Sequence, residues 1–271
     1  MKNLKLCIYA LVYIVLITLT ITKKQAFAKE LPEAKEIPEV IEPKQKAIFA
    51  GRTDKAPKKS RLNCGLPVGR NWLTRSEWKG QNLNRSEKAC FKTWKKNYIK
   101  QFIKYFGAEV QKEVQQPKFK SIPASLVIAQ AIIESQFNTS KLSKTANNIF
   151  GHKFRKPKKG EKLFIGIDEK RPYVIASDDS PTDKFRNYKS QFMALRAHSY
   201  ILLRYAKRIK GRPNLQKFLT ALCGADNTKD SKKYVKNGGT VYATSCFKGS
   251  KCYSQKLKEV IDFYNLEKFD Q

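Results

Sequence analysis

An otherwise apolar helical segment carries one acidic residue. Residues 122–135 read IPASLVIAQAIIES, and Glu134 is the only ionisable side chain among them. A helix that is apolar on all faces is normally buried, and burying a carboxylate is costly unless it is paired or faces a cleft. Desolvation is expected to raise the pKa of Glu134, which would make it a proton donor near neutral pH, the property that a general acid needs.

Gln130 lies one turn before Glu134 on the same predicted helix face, so an amide and a carboxyl group project together. The pattern alone leaves a second interpretation open. In that interpretation Glu134 lies at a frayed helix end in water, or forms a structural pair with a lysine.

The apolar residues of the chain recur mostly at helical spacing. They predict helices near residues 99–106, 123–137, 192–209, 215–222 and 253–264. Gly107 is expected to bend or stop the first of these helices, and Ser121 and Asn214 are expected to cap the second and the fourth.

One region departs from helical spacing. Residues 163–167 and 173–176 are rich in β-prone side chains, and the charged residues 168–172 between them predict a hairpin. The predicted fold class is therefore mainly α (α+β), a helical domain with a small β-hairpin lobe.

Four ordered sequence blocks carry a resemblance to a known family. They are PASL, AQA and ES within residues 123–135, NNIFG at 147–151, FRNYKS at 185–190 and YAT at 242–244. In this order they resemble the signature of the bacterial peptidoglycan glucosaminidases of glycoside hydrolase family 73, which includes flagellar-rod wall hydrolases and Bax-like proteins. The resemblance covers roughly residues 95–266.

The resemblance implies a lysozyme-like helical domain that cleaves β-1,4 bonds after N-acetylglucosamine in wall glycan, without a metal or another cofactor. By motif position, Glu134 corresponds to the general acid and Tyr242 to an active-site tyrosine. The expected substrate-binding residues are Gln130, Asn148, Phe150, Gly151 and Asp168. For the NNIFG block, the alternative is a turn that ends a helix.

The second catalytic carboxylate is expected in the β-lobe. Glu169 is the first choice and Asp168 the second, while Asp178, Asp179 and Asp183 remain open. Acidic residues are also ordinary in turns, so a purely structural role is the alternative. If Glu169 activates water, inversion follows; if the substrate's acetamido group attacks, retention follows and Glu169 orients that group.

Two features depart from the family pattern. Ser245 follows the YAT block, where the family commonly has an acidic residue, which leaves the local substrate contacts open. His152 directly follows Gly151, and His198 lies on the predicted helix of residues 192–209. Both histidines are expected to be structural rather than to bind sugar.

The N-terminal region predicts export. Residues 1–28 combine early lysines, an apolar run and a small-x-small triplet, as in a cleavable signal peptide; a retained membrane anchor is the alternative. Residues 29–61 are rich in Pro, Glu and Lys and predict a flexible spacer. An ordered extension is expected over residues 62–94, followed by the catalytic domain over residues 95–271. The expected location is extracytoplasmic, either periplasmic or secreted.

The chain of 271 residues has 55 Lys+Arg, 23 Asp+Glu and a formal net charge of +32. An exported protein of this charge either contacts an anionic envelope surface or simply has a lysine-rich solvated surface, and no nucleic-acid partner is expected. The two histidines exclude multi-histidine metal centres, and no metal site is predicted. The sequence gives no prediction of oligomeric state.

The cysteines of an exported chain are expected to form disulfides. Cys246 and Cys252 bracket a short loop and are expected to pair, as are Cys64 and Cys90, which would leave Cys223 unpaired; other pairings remain open.

The favoured hypothesis is thus an exported peptidoglycan hydrolase, an endo-β-N-acetylglucosaminidase that acts on glycan strands. The alternatives are a muramidase, a noncatalytic glycan-binding protein on the same fold, and a binder of polyanions or membrane surfaces.

Overall fold

The computed structural model describes residues 71–81, 83–176 and 181–271. The helices are α1 (Arg75–Trp78), α2 (Arg85–Val114), α3 (Ala124–Ser135), α4 (Lys141–Thr145), α5 (Gln191–Ala206), α6 (Leu215–Cys223), α7 (Thr228–Lys236) and α8 (Tyr253–Phe263). Strands β1 (Tyr173–Ala176) and β2 (Asp183–Arg186) lie between α4 and α5, and two 3-10 helices, Thr244–Cys246 and Leu266–Phe269, flank α8. The expected fold class, mainly helical with a small β-hairpin lobe, is confirmed.

Helix α3 is the centre of the fold. It packs against α2, α8 and the second 3-10 helix, and its residues from Ala124 to Ala131 are almost completely buried. The predicted cap, Ser121, is wrong. Pro123 is the N-cap residue and makes no side-chain cap. Asp270 binds the first turn of the helix instead, by accepting hydrogen bonds from Ser125 N at 2.8 Å and from Ser125 Oγ at 2.6 Å. A carboxylate is well suited to this position because helix N-termini carry unpaired N–H groups and partial positive charge.

Helix α2 is longer than its apolar stripe predicts. It begins with a capping box between Asn84 and Glu87 and continues through Gly107 to Val114, so the predicted stop at Gly107 is wrong. The Phe269 ring lies against Gly107 so closely that a Cβ there would clash with it. The glycine therefore permits close packing and does not end the helix. Helix α2 also runs without a break across position 94/95, where the extension was expected to meet the catalytic domain.

The later helices agree with the sequence pattern. Asn214 accepts a hydrogen bond from Lys217 N at 2.9 Å and caps α6, as predicted. Ser190 caps α5 in the same way by accepting from Met193 N at 3.2 Å. Helix α8 also forms where its apolar periodicity predicts, with Tyr253, Leu257 and Ile261 buried.

The β-hairpin forms, but one strand differs from the prediction. Strand β1 pairs with β2 in antiparallel register, with Tyr173 opposite Arg186 and Ala176 opposite Asp183. Residues 163–167 do not form a strand, because Gly166 has a φ of 74° and its backbone lies close against the Met193 side chain. Residues 168–172 therefore lie in the connection that leads into β1, not in the turn of the hairpin.

The disulfide pairing also differs from the prediction. Cys223 is bonded to Cys246, with their Cα atoms 5.1 Å apart, and Cys252 is a buried free thiol. The first 3-10 helix places Cys246 beside the C-terminal end of α6, which explains why the distant cysteine and not its near neighbour is its partner. The predicted Cys64–Cys90 pair lies outside the described residues because Cys64 is not described.

The predicted signal segment and spacer, residues 1–61, also lie outside the described residues. Within residues 71–81, 83–176 and 181–271, no helix has the length and apolar character needed to cross a membrane.

Candidate active site

Glu134 lies in the last turn of α3, where the buried helix meets the surface, and its side chain is half-buried. Tyr253, the first residue of α8, donates its hydroxyl hydrogen to Glu134 Oε1 at 2.7 Å. The tyrosine itself is only 2% exposed. One carboxylate oxygen is therefore held by a buried donor from a distant helix.

Tyr242 lies against this pair. Its backbone N–H donates to Leu222 O at 2.8 Å, and its ring stacks on Tyr253 with centroids 5.5 Å apart. Burial raises the pKa of both tyrosines well above the usual value, and the nearby charge of Glu134 raises the pKa of each further. Both phenols thus remain protonated near neutral pH and can serve as donors at the carboxylate.

Gly151 borders Glu134 from another direction. Its φ is 64°, and a Cβ added there would lie 3.7 Å from Glu134 Oε2. Because Gly151 has no side chain, it places no side-chain atom beside this second carboxylate oxygen. The left-handed backbone favours glycine at this position, and a side chain there would lie in contact with the carboxylate.

Other residues of the NNIFG block stabilise the turn at Gly151 by buried hydrogen bonds and ring packing. Asn148 accepts from His152 N at 2.9 Å and donates to His152 O and Arg186 O, each at 2.9 Å. Phe150 stacks on His198 with ring centroids 3.8 Å apart. Asn148 and Phe150 are only 1% and 2% exposed, so these two candidate binding residues lie beneath the surface and support the turn at Gly151.

Gln130 is fully buried one turn below Glu134. Its Oε1 accepts from His198 Nε2 at 3.0 Å, and His198 Nδ1 lies 3.0 Å from His152 Nε2. The two histidines are thus buried, and they are hydrogen-bonded to each other and, through His198, to Gln130.

The comparisons with known proteins identify the family. The family model for glucosaminidases, described as mannosyl-glycoprotein endo-beta-N-acetylglucosaminidase, matches residues 108–266, more than half of the chain. The chain belongs to the glucosaminidase family. It is 29% identical over 160 residues to exo-glucosaminidase LytG of Bacillus subtilis and 28% identical over 182 residues to protein bax of Escherichia coli.

These matches cover 57% and 63% of this glucosaminidase-family chain, respectively. The chain in turn spans about half of LytG, 48%, and 64% of protein bax. Among solved structures, the catalytic domain of the autolysin Auto from Listeria monocytogenes is similar, with a TM-score of 0.39 and 20% identity over 64% of this chain and 87% of that one. The glycoside hydrolase domain of FlgJ from Salmonella typhimurium has a TM-score of 0.36 and 19% identity over 61% and 87% of the two chains.

Among the acidic residues expected in the β-lobe of this family member, Glu169, Asp168 and Asp183 are described. Glu169 is 77% exposed, and its Oε1 is 3.6 Å from Lys189 Nζ. Asp168 accepts from Lys170 N at 3.0 Å, as turn aspartates commonly do. Asp183 in β2 pairs with Lys153 at 3.2 Å, whereas Asp178 and Asp179 lie outside the described residues.

Sequence reasoning missed Tyr253 as a site residue. The periodicity assigns it to the apolar face of the C-terminal helix, and this assignment is correct because its ring is buried. The spacing of residues does not predict a role for the Tyr253 hydroxyl, since its partner, Glu134, lies 119 positions earlier in the chain.

The cysteine cluster is the one group within the described residues that has the composition of a metal site. The sulfur atoms of Cys223, Cys246 and Cys252 lie within 4.8 Å of one another. Two of these sulfurs form the disulfide, so the cluster offers a single thiol as a ligand.

Proposed function

We propose that this chain is an exported peptidoglycan hydrolase that cleaves the β-1,4 bond after N-acetylglucosamine, with Glu134 as the general acid. The hydrogen bond from buried Tyr253 to Glu134, at the end of an apolar helix, is the observation that carries the proposal. Membership of the glucosaminidase family supports the type of reaction. The predicted signal segment supports action outside the cell membrane.

The two oxygens of Glu134 have different surroundings, which suggests a division of roles. Tyr253 donates to Oε1, whereas Oε2 lies on the side of Gly151. In the proposed step, Oε2 delivers its proton to the leaving glycosidic oxygen as the bond from the anomeric carbon to that oxygen breaks. The Tyr253 hydroxyl then stabilises the carboxylate that forms, because a charge-assisted hydrogen bond is stronger than a neutral one.

The second half of the reaction is assigned to the β-lobe, with Glu169 as first choice. Glu169 either takes a proton from the water that attacks the anomeric carbon, or orients the acetamido group whose oxygen attacks first. The first route inverts and the second retains the anomeric configuration. The exposure of Glu169 supports access to a bound glycan, and Asp168 is the second choice.

Mass spectrometry of digested wall glycan tests the proposal. Purified peptidoglycan is incubated with the protein and reduced with borohydride, which marks each new reducing end. We expect reduced N-acetylglucosamine ends, and we expect none from the Glu134→Gln variant. Glu169→Gln and Asp168→Asn, assayed in parallel, identify the second carboxylate.

Other outcomes would replace the proposal with a named alternative. Reduced N-acetylmuramic acid ends would indicate a muramidase. If no new ends form while wild-type protein and Glu134→Gln sediment equally with wall glycan, the chain is a noncatalytic glycan-binding protein. If sedimentation also disappears with added salt, nonspecific binding to polyanions accounts for it.

A further inference from the structure

Both histidines of the chain belong to one buried row of hydrogen bonds. Arg186 Nη1 donates to Tyr188 Oη at 3.3 Å, and Tyr188 Oη lies 2.7 Å from His152 Nδ1. His152 Nε2 is 3.0 Å from His198 Nδ1, and His198 Nε2 is 3.0 Å from Gln130 Oε1. The row runs from strand β2 to helix α3 and ends one turn below Glu134.

Burial keeps both imidazoles neutral. It lowers the pKa of His198 to about 3, and it lowers the pKa of His152 well below the usual value, with further lowering from His198 and Arg186. A neutral imidazole has one N–H donor and one acceptor nitrogen. Two adjacent neutral imidazoles therefore hydrogen-bond only if both are oriented in the same direction along the row.

The end of the row at Glu134 selects that direction. The Tyr253 hydroxyl donates its hydrogen to Glu134, so the Tyr253 oxygen can act only as an acceptor toward other groups. Gln130 Nε2 is buried and has no acceptor at standard hydrogen-bond geometry among the described residues. Burial raises the pKa of Tyr253, whereas the Gln130 amide lowers that pKa. A hydrogen-bond donor near the phenol oxygen has this lowering effect.

With Nε2 toward Tyr253, Gln130 presents its oxygen to His198, and the remaining assignments follow. His198 donates from Nε2 and accepts at Nδ1, so His152 donates from Nε2 and accepts at Nδ1. Tyr188 then donates to His152 and accepts from Arg186. Every donation points from the β-lobe toward the candidate acid.

We propose that His152 and His198 are positioning residues, whose directed hydrogen bonds from Arg186 and Tyr188 to Gln130 hold the Gln130 amide toward the Tyr253 hydroxyl that binds Glu134. This inference rests on the proposed role of Glu134 in catalysis. The row of hydrogen bonds also connects the β-lobe to Glu134, because its first donor, Arg186, lies in β2. Phe150, stacked on His198, keeps the imidazole plane in the orientation that the row requires.

The tautomers of the two histidines provide a direct test that needs no substrate. Nitrogen-15 NMR of the labelled protein distinguishes a neutral Nε2–H imidazole from an Nδ1–H imidazole and from a charged one. We expect both His152 and His198 to be neutral Nε2–H tautomers between about pH 5 and 8, the range in which an exposed histidine titrates. An Nδ1–H tautomer at either residue, or a charged ring, would overturn the proposal.

Kinetics test whether the row acts on the acid. Tyr188→Phe keeps the ring and removes the donor to His152 at the far end of the row. We expect kcat to fall about tenfold, a fraction of what a general acid contributes. KM should change by less than about twofold, because the residue is not placed at the substrate. Tyr200→Phe is the matched control, since it removes a hydroxyl from the same helix as His198 but outside the row.

A pair of substitutions at His198 provides a second kinetic test. His198→Phe keeps a ring to stack on Phe150 but removes both nitrogens, whereas His198→Gln keeps an N–H donor that can face Gln130. We expect the Gln variant to retain at least about threefold more kcat than the Phe variant at equal melting temperature. Equal kcat in both variants, or an unchanged kcat in Tyr188→Phe, would contradict a positioning role.

The two kinds of measurement separate this inference from the proposed function. If the wild-type protein cleaves no glycan, the proposed function fails and the role of the row in catalysis fails with it, whatever the tautomers are. If the wild type cleaves and Glu134→Gln does not, the function stands and the histidine variants decide the inference alone.

Discussion

Removal of the Tyr253 hydroxyl is the sharpest test of the chemistry at Glu134. Tyr253→Phe keeps the buried ring and its stacking on Tyr242; it removes the donor that lies 2.7 Å from Glu134 Oε1 and the oxygen toward which the Gln130 amide is proposed to point. A hydrogen bond to a charged group contributes about 1.5–3 kcal/mol. One pKa unit corresponds to about 1.4 kcal/mol, so the variant should raise the pKa of the Glu134 carboxyl by about one to two units relative to wild type.

The sign follows from which form the hydroxyl stabilises. Tyr253 donates to the ionised carboxylate, and its loss disfavours ionisation. A general acid acts in its protonated form, so the alkaline limb of the kcat/KM profile should move to higher pH by about one to two units. The Tyr242 phenol, whose pKa the nearby charge of Glu134 raises, remains uncharged over this range. We also expect kcat at the optimum to fall about tenfold, because the carboxylate formed during bond cleavage loses its donor.

The assay is the rate of cleavage of a soluble glycan fragment between about pH 4 and 9, a range that includes the ordinary and the raised pKa of a carboxyl group. Tyr264→Phe is the control, since it removes a half-buried hydroxyl at the other end of α8. An alkaline limb that stays in place, or moves to lower pH, would refute the assignment of Tyr253 as the donor to the catalytic acid.

Three further outcomes test other contacts. Gly151→Ala should lower kcat/KM about tenfold or more while costing only about 1 kcal/mol in stability from its left-handed backbone, because the methyl group would enter the space beside Glu134 Oε2; kinetics and denaturant unfolding measure the two effects. Asp270→Ala should destabilise the fold by about 1–2 kcal/mol by uncapping α3, whereas Asp270→Asn should retain part of that stability, as urea titration will show. His198 is neutral when folded and charged when unfolded at acidic pH, so its contribution to stability is complete above about pH 6.5 and is lost as pH falls toward about 3. The wild-type melting temperature should therefore decline through this range more steeply than that of His198→Gln.

The elements that depend on local sequence could be predicted from it. Apolar periodicity predicts helices α2, α3, α5, α6 and α8 but not the other three described helices, α1, α4 and α7. The Asn214 cap is also predicted correctly, and Glu134 is distinctive in sequence as the single ionisable residue of an apolar helix. Each of these signals lies within a few residues of the feature that it predicts. Of the predicted hairpin, only residues 173–176 form a strand, and their partner is Asp183–Arg186 instead of residues 163–167.

The wrong predictions concern residues whose roles depend on distant partners. Gly107 is read as a helix stop because its contact with Phe269 is invisible in local sequence, and tertiary packing overrides helix propensity. Cys246 pairs with Cys223, 23 positions earlier, and not with its near neighbour. The hydroxyl of Tyr253 gains its role only because α8 packs against α3.

The C-terminal segment explains how these distant contacts produce one site. Tyr253 binds Glu134 at the C-terminal end of α3, and Asp270 binds Ser125 at its N-terminal end. Between them, Phe269 packs on Gly107 of α2, and its carbonyl accepts a hydrogen bond from Gln111 at 3.1 Å. Residues 253–270 therefore contact the Glu134 helix, α3, at both ends and also contact the neighbouring helix α2. Since the donor to Glu134 and the cap of its helix belong to the same segment, we expect the stability of the fold and the orientation of the Glu134 side chain to depend on each other.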